Sequence, residues 1–132
     1  MKVVLDTNVV VAAFATRGLC SEVFEVCLAE HCIVTSEHIL MEVKEKLIDK
    51  IRLPENTVNE IVDYLRAQAE TVVPEKLNSP VCRDKDDEKV IGTALSDHAG
   101  FIITGDEDLL LLKKYKGIRI VTPREFWSML RK

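Results

Sequence analysis

Four acidic side chains, Asp6, Glu42, Asp87 and Asp106, stand at or beside the ends of apolar segments. Asp6 closes the run Val3-Val4-Leu5, and Asp106 follows the run Phe101 to Thr104. Asp87 opens a helical pattern that leads into that second run, and Glu42 flanks an apolar stripe without belonging to it. Carboxylates gathered in one place repel each other unless a cation neutralises them, and without one they take raised pKa values. Hard divalent cations such as Mg²⁺ or Mn²⁺ prefer all-oxygen ligands. A pair of such ions about 3.5–4 Å apart clamps the attacking and leaving oxygens of a phosphodiester. The chemistry open to these four residues is therefore metal-dependent hydrolysis at phosphorus.

Each acid also has a plainer reading. Asp6-Thr7-Asn8 suits a turn and cap. Glu42 can pair with Lys46 at i,i+4 on a solvated face. Asp84, Asp86 and Asp87, like Asp106 and Asp108, are types that favour a helix start. The joint placement of Asp6 and Asp106 after apolar runs shifts the weight, because capping does not require both to fall there.

The elements that must position these acids alternate between strand and helix. Val3–Leu5, Cys32–Val34, Thr71–Val73, Phe101–Thr104 and Ile118–Val121 are short, apolar and β-branched, as buried parallel strands are. Between them, apolar residues recur at helical spacing, first at Leu19, Val23, Phe24, Cys27 and Leu28. A second stripe is Ile39, Leu40, Val43, Leu47 and Ile48, and a third is Val58, Ile61, Val62 and Leu65. Val90, Ile91, Ala94 and Leu95 form a fourth. Leu109–Leu112 carries a lysine-rich last turn stopped by Gly117, and Thr122-Pro123-Arg124-Glu125 is a capping box. The stretch from Glu75 to Lys85 reads as loop. This order predicts an α/β fold: a three-layer α/β/α sandwich, Rossmann-like, with a five-stranded parallel sheet in one domain over residues 1–132. In such a sheet ligands bind beyond the carboxyl ends of the strands, where strand order reverses. Asp6 and Asp106 meet there if their strands are neighbours.

Composition leaves this reading open. Hydrophobic residues make up 47% and charged residues 30%, an ordinary globular balance. The formal charge of −4 argues against a nucleic-acid binder by bulk charge. Of the 22 acids, setting the four aside leaves 18, against 18 Lys plus Arg, so the remaining surface is neutral. No apolar run has the length of a membrane span, and Asp6 interrupts the N-terminal run too early for a signal peptide. A cytoplasmic protein is expected. Cys20, Cys27, Cys32 and Cys82 form no Cys-x-x-Cys pair, and Cys27, His31 and Cys32 lack zinc spacing. They read as reduced thiols, with Cys20 and Cys27 on the core face of a helix. His31, His38 and His98 are scattered and read as surface or helix-face residues.

The opening Val3-Val4-Leu5-Asp6-Thr7-Asn8-Val9 is similar to the first motif of the PIN-domain family, and Glu42 takes that family's helical acidic position. The segment Arg83-Asp84-Lys85-Asp86-Asp87-Glu88-Lys89-Val90-Ile91-Gly92-Thr93-Ala94 resembles its third motif. Ile103-Thr104-Gly105-Asp106-Glu107-Asp108-Leu109 resembles its fourth. The likeness is to the ribonuclease toxins of prokaryotic toxin–antitoxin pairs. It implies Mg²⁺- or Mn²⁺-dependent cleavage of RNA, with Asp6, Asp87 and Asp106 holding metal and Glu42 doing so directly or through water. Asn8 and Thr104 would orient ligands or water, and Asp84 and Asp108 would be auxiliary acids. An RNA substrate, an antitoxin partner and a homodimer are implied as well. Phe14 and Phe24 are the aromatic candidates for such contacts, although core packing is their better reading.

Two other functions compete: a non-catalytic binding module on this fold, and a phosphoryl-transfer domain. A haloacid-dehalogenase-type phosphatase wants a second aspartate two residues after Asp6, where Asn8 stands. A receiver wants adjacent acids after the first strand and a lysine after the fifth, where Thr122-Pro123 stands. No Walker A, Gly-x-Gly-x-x-Gly or Gly-x-Ser-x-Gly pattern occurs.

Overall fold

Val3, Val4, Val34, Ile102 and Ile103 are completely buried, as strands covered on both faces must be. In the computed structural model, which describes residues 1–130, they belong to the central strands of one sheet. Residues 131 and 132 of the expected domain span lie outside the described residues. The chain runs β1 (Lys2–Leu5), α1 (Thr7–Ala15), α2 (Leu19–Glu30), β2 (Cys32–Thr35), α3 (Glu37–Asp49), α4 (Glu55–Gln68) and β3 (Glu70–Thr71). It continues with α5 (Lys85–Ser96), β4 (Phe101–Ile103), α6 (Glu107–Leu110), β5 (Lys114–Tyr115), β6 (Ile118–Val121) and α7 (Pro123–Leu130). Among the described residues no helix is long and apolar enough to cross a membrane.

Strand order is β3-β2-β1-β4-β6-β5, and every pairing but the last is parallel. Parallel crossovers are right-handed. The helices that carry the chain from β1 to β2 to β3 therefore lie on one face, and α5, which brings it back to β4, lies on the other. The contacts agree: α1, α2, α3 and α4 pack among themselves, whereas α5 packs directly on β1, β2 and β4. Strand order reverses between β1 and β4, whose registers pair Val3 with Phe101 and Leu5 with Ile103. The crevice expected of an open α/β sheet thus opens beside Asp6.

The sheet departs from five parallel strands at both edges. A sixth strand, β5, pairs antiparallel with β6. Lys116 and Gly117, both at positive φ, make the two-residue turn between them. The Lys114-Tyr115 pair has no apolar run to announce it, and the helix expected through Leu112 ends at Leu110 so that the hairpin can form. At the other edge β3 is Glu70–Thr71 rather than Thr71–Val73. An edge strand has one covered flank at most, and Val73 is 83% exposed. Phe24 is a core residue, edge-on to the half-buried Phe14 with ring centroids 5.2 Å apart. Cys27 is buried and Cys20 half-buried on α2, as expected of a core-facing helix stripe.

The segment after β3 is irregular but anchored. It crosses α5 at Gly92, where the Glu75 amide donates to the Gly92 carbonyl at 2.9 Å. A Cβ at Gly92 would lie 2.3 Å from the Glu75 carbonyl oxygen. Alanine gains about 1 kcal/mol over glycine in a helix interior. Here the backbone clash outweighs that gain. Gly92→Ala should destabilise the fold by about 1–3 kcal/mol, the usual range for overpacking, read by urea denaturation. Unchanged stability would mean that this segment does not rest on α5.

Candidate active site

Asp6 is placed by backbone bonds at the reversal point. Its amide donates to the Ile103 carbonyl at 3.0 Å, continuing the β1–β4 ladder by one residue. Asp6 is 7% exposed, and both carboxylate oxygens are engaged: Oδ1 accepts from the Thr7 amide at 2.8 Å and Oδ2 from the Thr104 hydroxyl at 2.7 Å. Thr104 is completely buried, and its hydroxyl oxygen also accepts from the Asp106 amide at 2.9 Å. One hydroxyl therefore fixes the segments after β1 and β4 relative to each other.

Asp84 and Asp106 cap helices in the same way. Asp84 accepts from the Asp86 amide at the start of α5, and Asp106 from the Asp108 amide at the start of α6. Capping α5 at Asp84 brings Asp87 into its first turn, where it is 7% exposed. Glu42 reaches across from α3 and accepts from the Thr7 hydroxyl at 2.9 Å. The expected Glu42–Lys46 pairing is not the contact made: Lys46 Nζ donates to Asn8 Oδ1 at 2.8 Å.

Asp6, Glu42, Asp87 and Asp106 line one open crevice of about 300 Å³, together with Thr7, Asn8, Lys46, Asp84, Asp86 and Val90. Asp108 stands beside Asp87 and Asp106 and is gripped by Arg83 at 2.8 Å. His38 was expected on a plain helix face. It is half-buried, with Nε2 3.1 Å from Asp86 Oδ1 and 3.7 Å from Glu42 Oε1. Sequence reasoning missed Thr7, His38 and Arg83 as neighbours of the site. One signal was available: His38, Glu42 and Lys46 recur every fourth residue and share a face of α3.

Burial and mutual repulsion mark the cluster. Asp6 is raised above its ordinary pKa by burial, with the Asp106 charge adding to this; the bonds from Thr104 and Thr7 and the charge of Lys46 oppose it. Glu42 is raised by burial and the nearby Asp86, against the Thr7 hydroxyl bond. Asp87 is pushed up to about 7 by burial, by a hydrogen bond shared with Asp106, and by the charges of Asp106, Asp84 and Asp6. An all-oxygen donor set with this unrelieved repulsion fits a hard divalent cation. Asp87, Asp106 and Asp108 can each offer an oxygen within 4.8 Å of the others, close enough to share one ion. Among the described residues, neither group of side chains close enough to share an ion includes a cysteine.

A family model described as PIN domain matches residues 2–108, a span that holds all four acids. The chain belongs to the PIN-domain family. An uncharacterized protein of Methanocaldococcus jannaschii is 34% identical, over 96% of this chain and 89% of its own. Two solved structures share the fold at low identity. One is VapBC2 from Rickettsia felis, bound to a DNA fragment from their promoter, at TM-score 0.62 and 14% identity, covering 91% of this chain and 97% of that one. The other is VapBC-1 from nontypeable Haemophilus influenzae, at TM-score 0.64 and 15% identity, covering 94% and 99%.

The raised carboxyls of this PIN domain set the sign of its pH dependence. Folding raises Asp6, Glu42 and Asp87, so the folded chain holds protons that the unfolded chain has released. Stability therefore falls as pH rises from the ordinary carboxylate range through about 7, the midpoint of the Asp87 titration. Glu37, lowered by its bond to Arg66, and Glu88, lowered by the Val81 and Cys82 amides, act in the opposite sense but below that window; His31, lowered by burial, opposes the fall within it, so the comparison with Asp87→Asn isolates the cluster. In chelator the melting temperature should drop between about pH 5 and about pH 8, and Asp87→Asn should flatten the drop. A melting temperature that climbs over that range, with Asp87→Asn no different, would contradict the repulsion argument.

Proposed function

We propose that this PIN domain is a Mg²⁺- or Mn²⁺-dependent endoribonuclease acting as one unit over the chain. The observation that carries the reading is the convergence of Asp6, Glu42, Asp87 and Asp106, from four separate segments, on one crevice. A stable fold has no use for such repulsion unless a cation offsets it. Asp6, Asp87 and Asp106 would hold metal, and Glu42 would hold it directly or through water. A divalent cation bound there supplies a water acidic enough to attack at neutral pH and offsets charge on the leaving oxygen.

The remaining side chains position these acids. Thr104 locks the rotamer of Asp6 and the backbone before Asp106. Thr7 orients Glu42, and Lys46 holds Asn8 at the rim. Asp84 sets the first turn of α5, while Arg83 restrains Asp108. The phosphodiester is the anion expected to enter, since cations held by these acids and Lys46 would both attract it. RNA as the substrate rests on the family resemblance. So do an antitoxin partner, a homodimer and a cytoplasmic setting; the VapB-bearing assemblies among the structural relatives support the antitoxin.

Asp6→Asn keeps the side-chain shape and removes one charge from the cation site. RNA cleavage should fall about a hundredfold or more, the scale on which removing one key electrostatic group acts. The melting temperature in chelator should stay or rise. Asp87→Asn and Asp106→Asn should lose activity to a similar extent, and double variants should lose little more, because all disable one site. Full cleavage in EDTA, or by Asp6→Asn, would end this reading.

A further inference from the structure

His38, Glu42 and Asp86 form a second donor group at the edge of the crevice, apart from Asp87, Asp106 and Asp108. His38 and Glu42 sit one turn apart on α3, and Asp86 comes from the first turn of α5. Each can offer one ligand atom within 4.8 Å of the other two. Resting on the metal-nuclease reading, we propose that these three residues hold a divalent cation of the kind that accepts imidazole nitrogen, Mn²⁺ rather than Mg²⁺.

Three observations lead to this. The first is spacing. Two ligands each about 2.1 Å from one ion lie about 3.0 Å apart at octahedral angles and about 3.4 Å apart at tetrahedral ones. His38 Nε2 is 3.1 Å from Asp86 Oδ1 and 3.7 Å from Glu42 Oε1, so small side-chain adjustments bring all three onto one ion. The second is the state of the nitrogen. His38 Nε2 is shielded from solvent and makes no hydrogen bond, although Asp86 is near enough for one. An imidazole nitrogen that faces two carboxylates at 3.1 and 3.7 Å without a hydrogen bond to either is placed to share a cation with them. The third is support around the donors. Glu42 Oε1 accepts from the Thr7 hydroxyl, which fixes that carboxylate as ligating carboxylates are commonly fixed. The Thr93 hydroxyl, meeting Ser36 Oγ at 3.1 Å, ties α5 to the start of α3.

The donor types decide the ion. Mn²⁺ takes carboxylate oxygens as Mg²⁺ does, but as the first of the divalent transition ions it also accepts an imidazole nitrogen, whereas Mg²⁺ keeps to oxygen and sheds water reluctantly. Asp87, Asp106 and Asp108 offer oxygen alone. The crevice thus has a hard end and an end with nitrogen, and Glu42 belongs to the second.

The test uses the purified full chain with Mn²⁺ alone. Electron spin-echo modulation should show ¹⁴N coupling to bound Mn²⁺ in the wild type and none in His38→Gln. His38→Gln should weaken Mn²⁺ binding about tenfold or more, the least expected when a metal's ligand environment is broken, and should change Mg²⁺ binding far less. Asp86→Asn, at an exposed position, should weaken Mn²⁺ as well and serves as the deciding variant if His38→Gln melts early. Bound Mn²⁺ without ¹⁴N coupling, or equal losses for both ions, overturns the inference. If RNA is still cut in that case, the nuclease reading stands without it. Conversely, ¹⁴N-coupled Mn²⁺ on a chain that cuts no RNA keeps this site and removes the nuclease.

Discussion

The Thr104 hydroxyl lies where β1 and β4 give out, and the crevice depends on what it does there. It donates to Asp6 and accepts from the Asp106 amide, so it uses both kinds of bonding capacity in a place with no water to replace either. Burying a carboxylate without partners would cost several kcal/mol. Asp6 avoids this with the Thr104 hydroxyl, the Thr7 amide and the nearby Lys46 charge, yet it stays above its ordinary pKa. The site is therefore built but not relaxed. The parallel pairing of β1 with β4 makes the arrangement possible, because it ends both strands at the same edge.

Capping and chemistry prove not to be alternatives for these acids. Asp6, Asp84 and Asp106 each cap a helix, at the starts of α1, α5 and α6. A cap orients a carboxylate by fixing one oxygen on a backbone amide, and at Asp6 the Thr104 hydroxyl fixes the other as well. Three helix N-termini are thereby turned towards one space, and their partial positive ends ease the repulsion among the acids. The same sequence signals that mark a helix start, Asp followed by a first turn rich in acids, are how the chain aims its carboxylates.

Much of this was legible in the residues because it follows from local rules. β-branched runs gave strands, helical stripes gave helices, and Asp6 and Asp106 fell after strands that turned out to be neighbours. What was not legible depends on contacts across space. His38 looked like one more helix-face imidazole because Asp86, its neighbour in the fold, is 48 positions away in the chain. Lys46 looked like the partner of Glu42 by spacing, but Asn8 takes its proton donors instead. Gly92 lies inside a helix, where glycine is unfavourable, and only the crossing segment at Glu75 explains it. The β5–β6 hairpin was hidden because edge pairing needs no apolar pattern, and Val73 was read as strand because hydrophobicity does not tell an edge from a centre.

The face of α3 that carries His38, Glu42 and Lys46 sets how far apart the walls of the crevice stand. Each residue on it meets a different neighbour: Glu42 takes the Thr7 hydroxyl on α1, Lys46 reaches Asn8, also on α1, and His38 faces Asp86 on α5 without a hydrogen bond. Residues four apart on a helix lie about 6 Å along its axis, so the three contacts span roughly two turns. A sliding or rotation of α3 would break all three at once, whereas any one alone would tolerate small movement. The sheet places Asp6 and Asp106 by backbone pairing, which is rigid. Glu42 has no such pairing and depends on this row of side-chain contacts to present its carboxylate. The sheet thus fixes Asp6 and Asp106, the capped first turn of α5 fixes Asp87, and helix packing fixes the nitrogen-bearing end. That last is the end where a change of side chain would alter the donor set of the proposed cation without disturbing the strands beneath it.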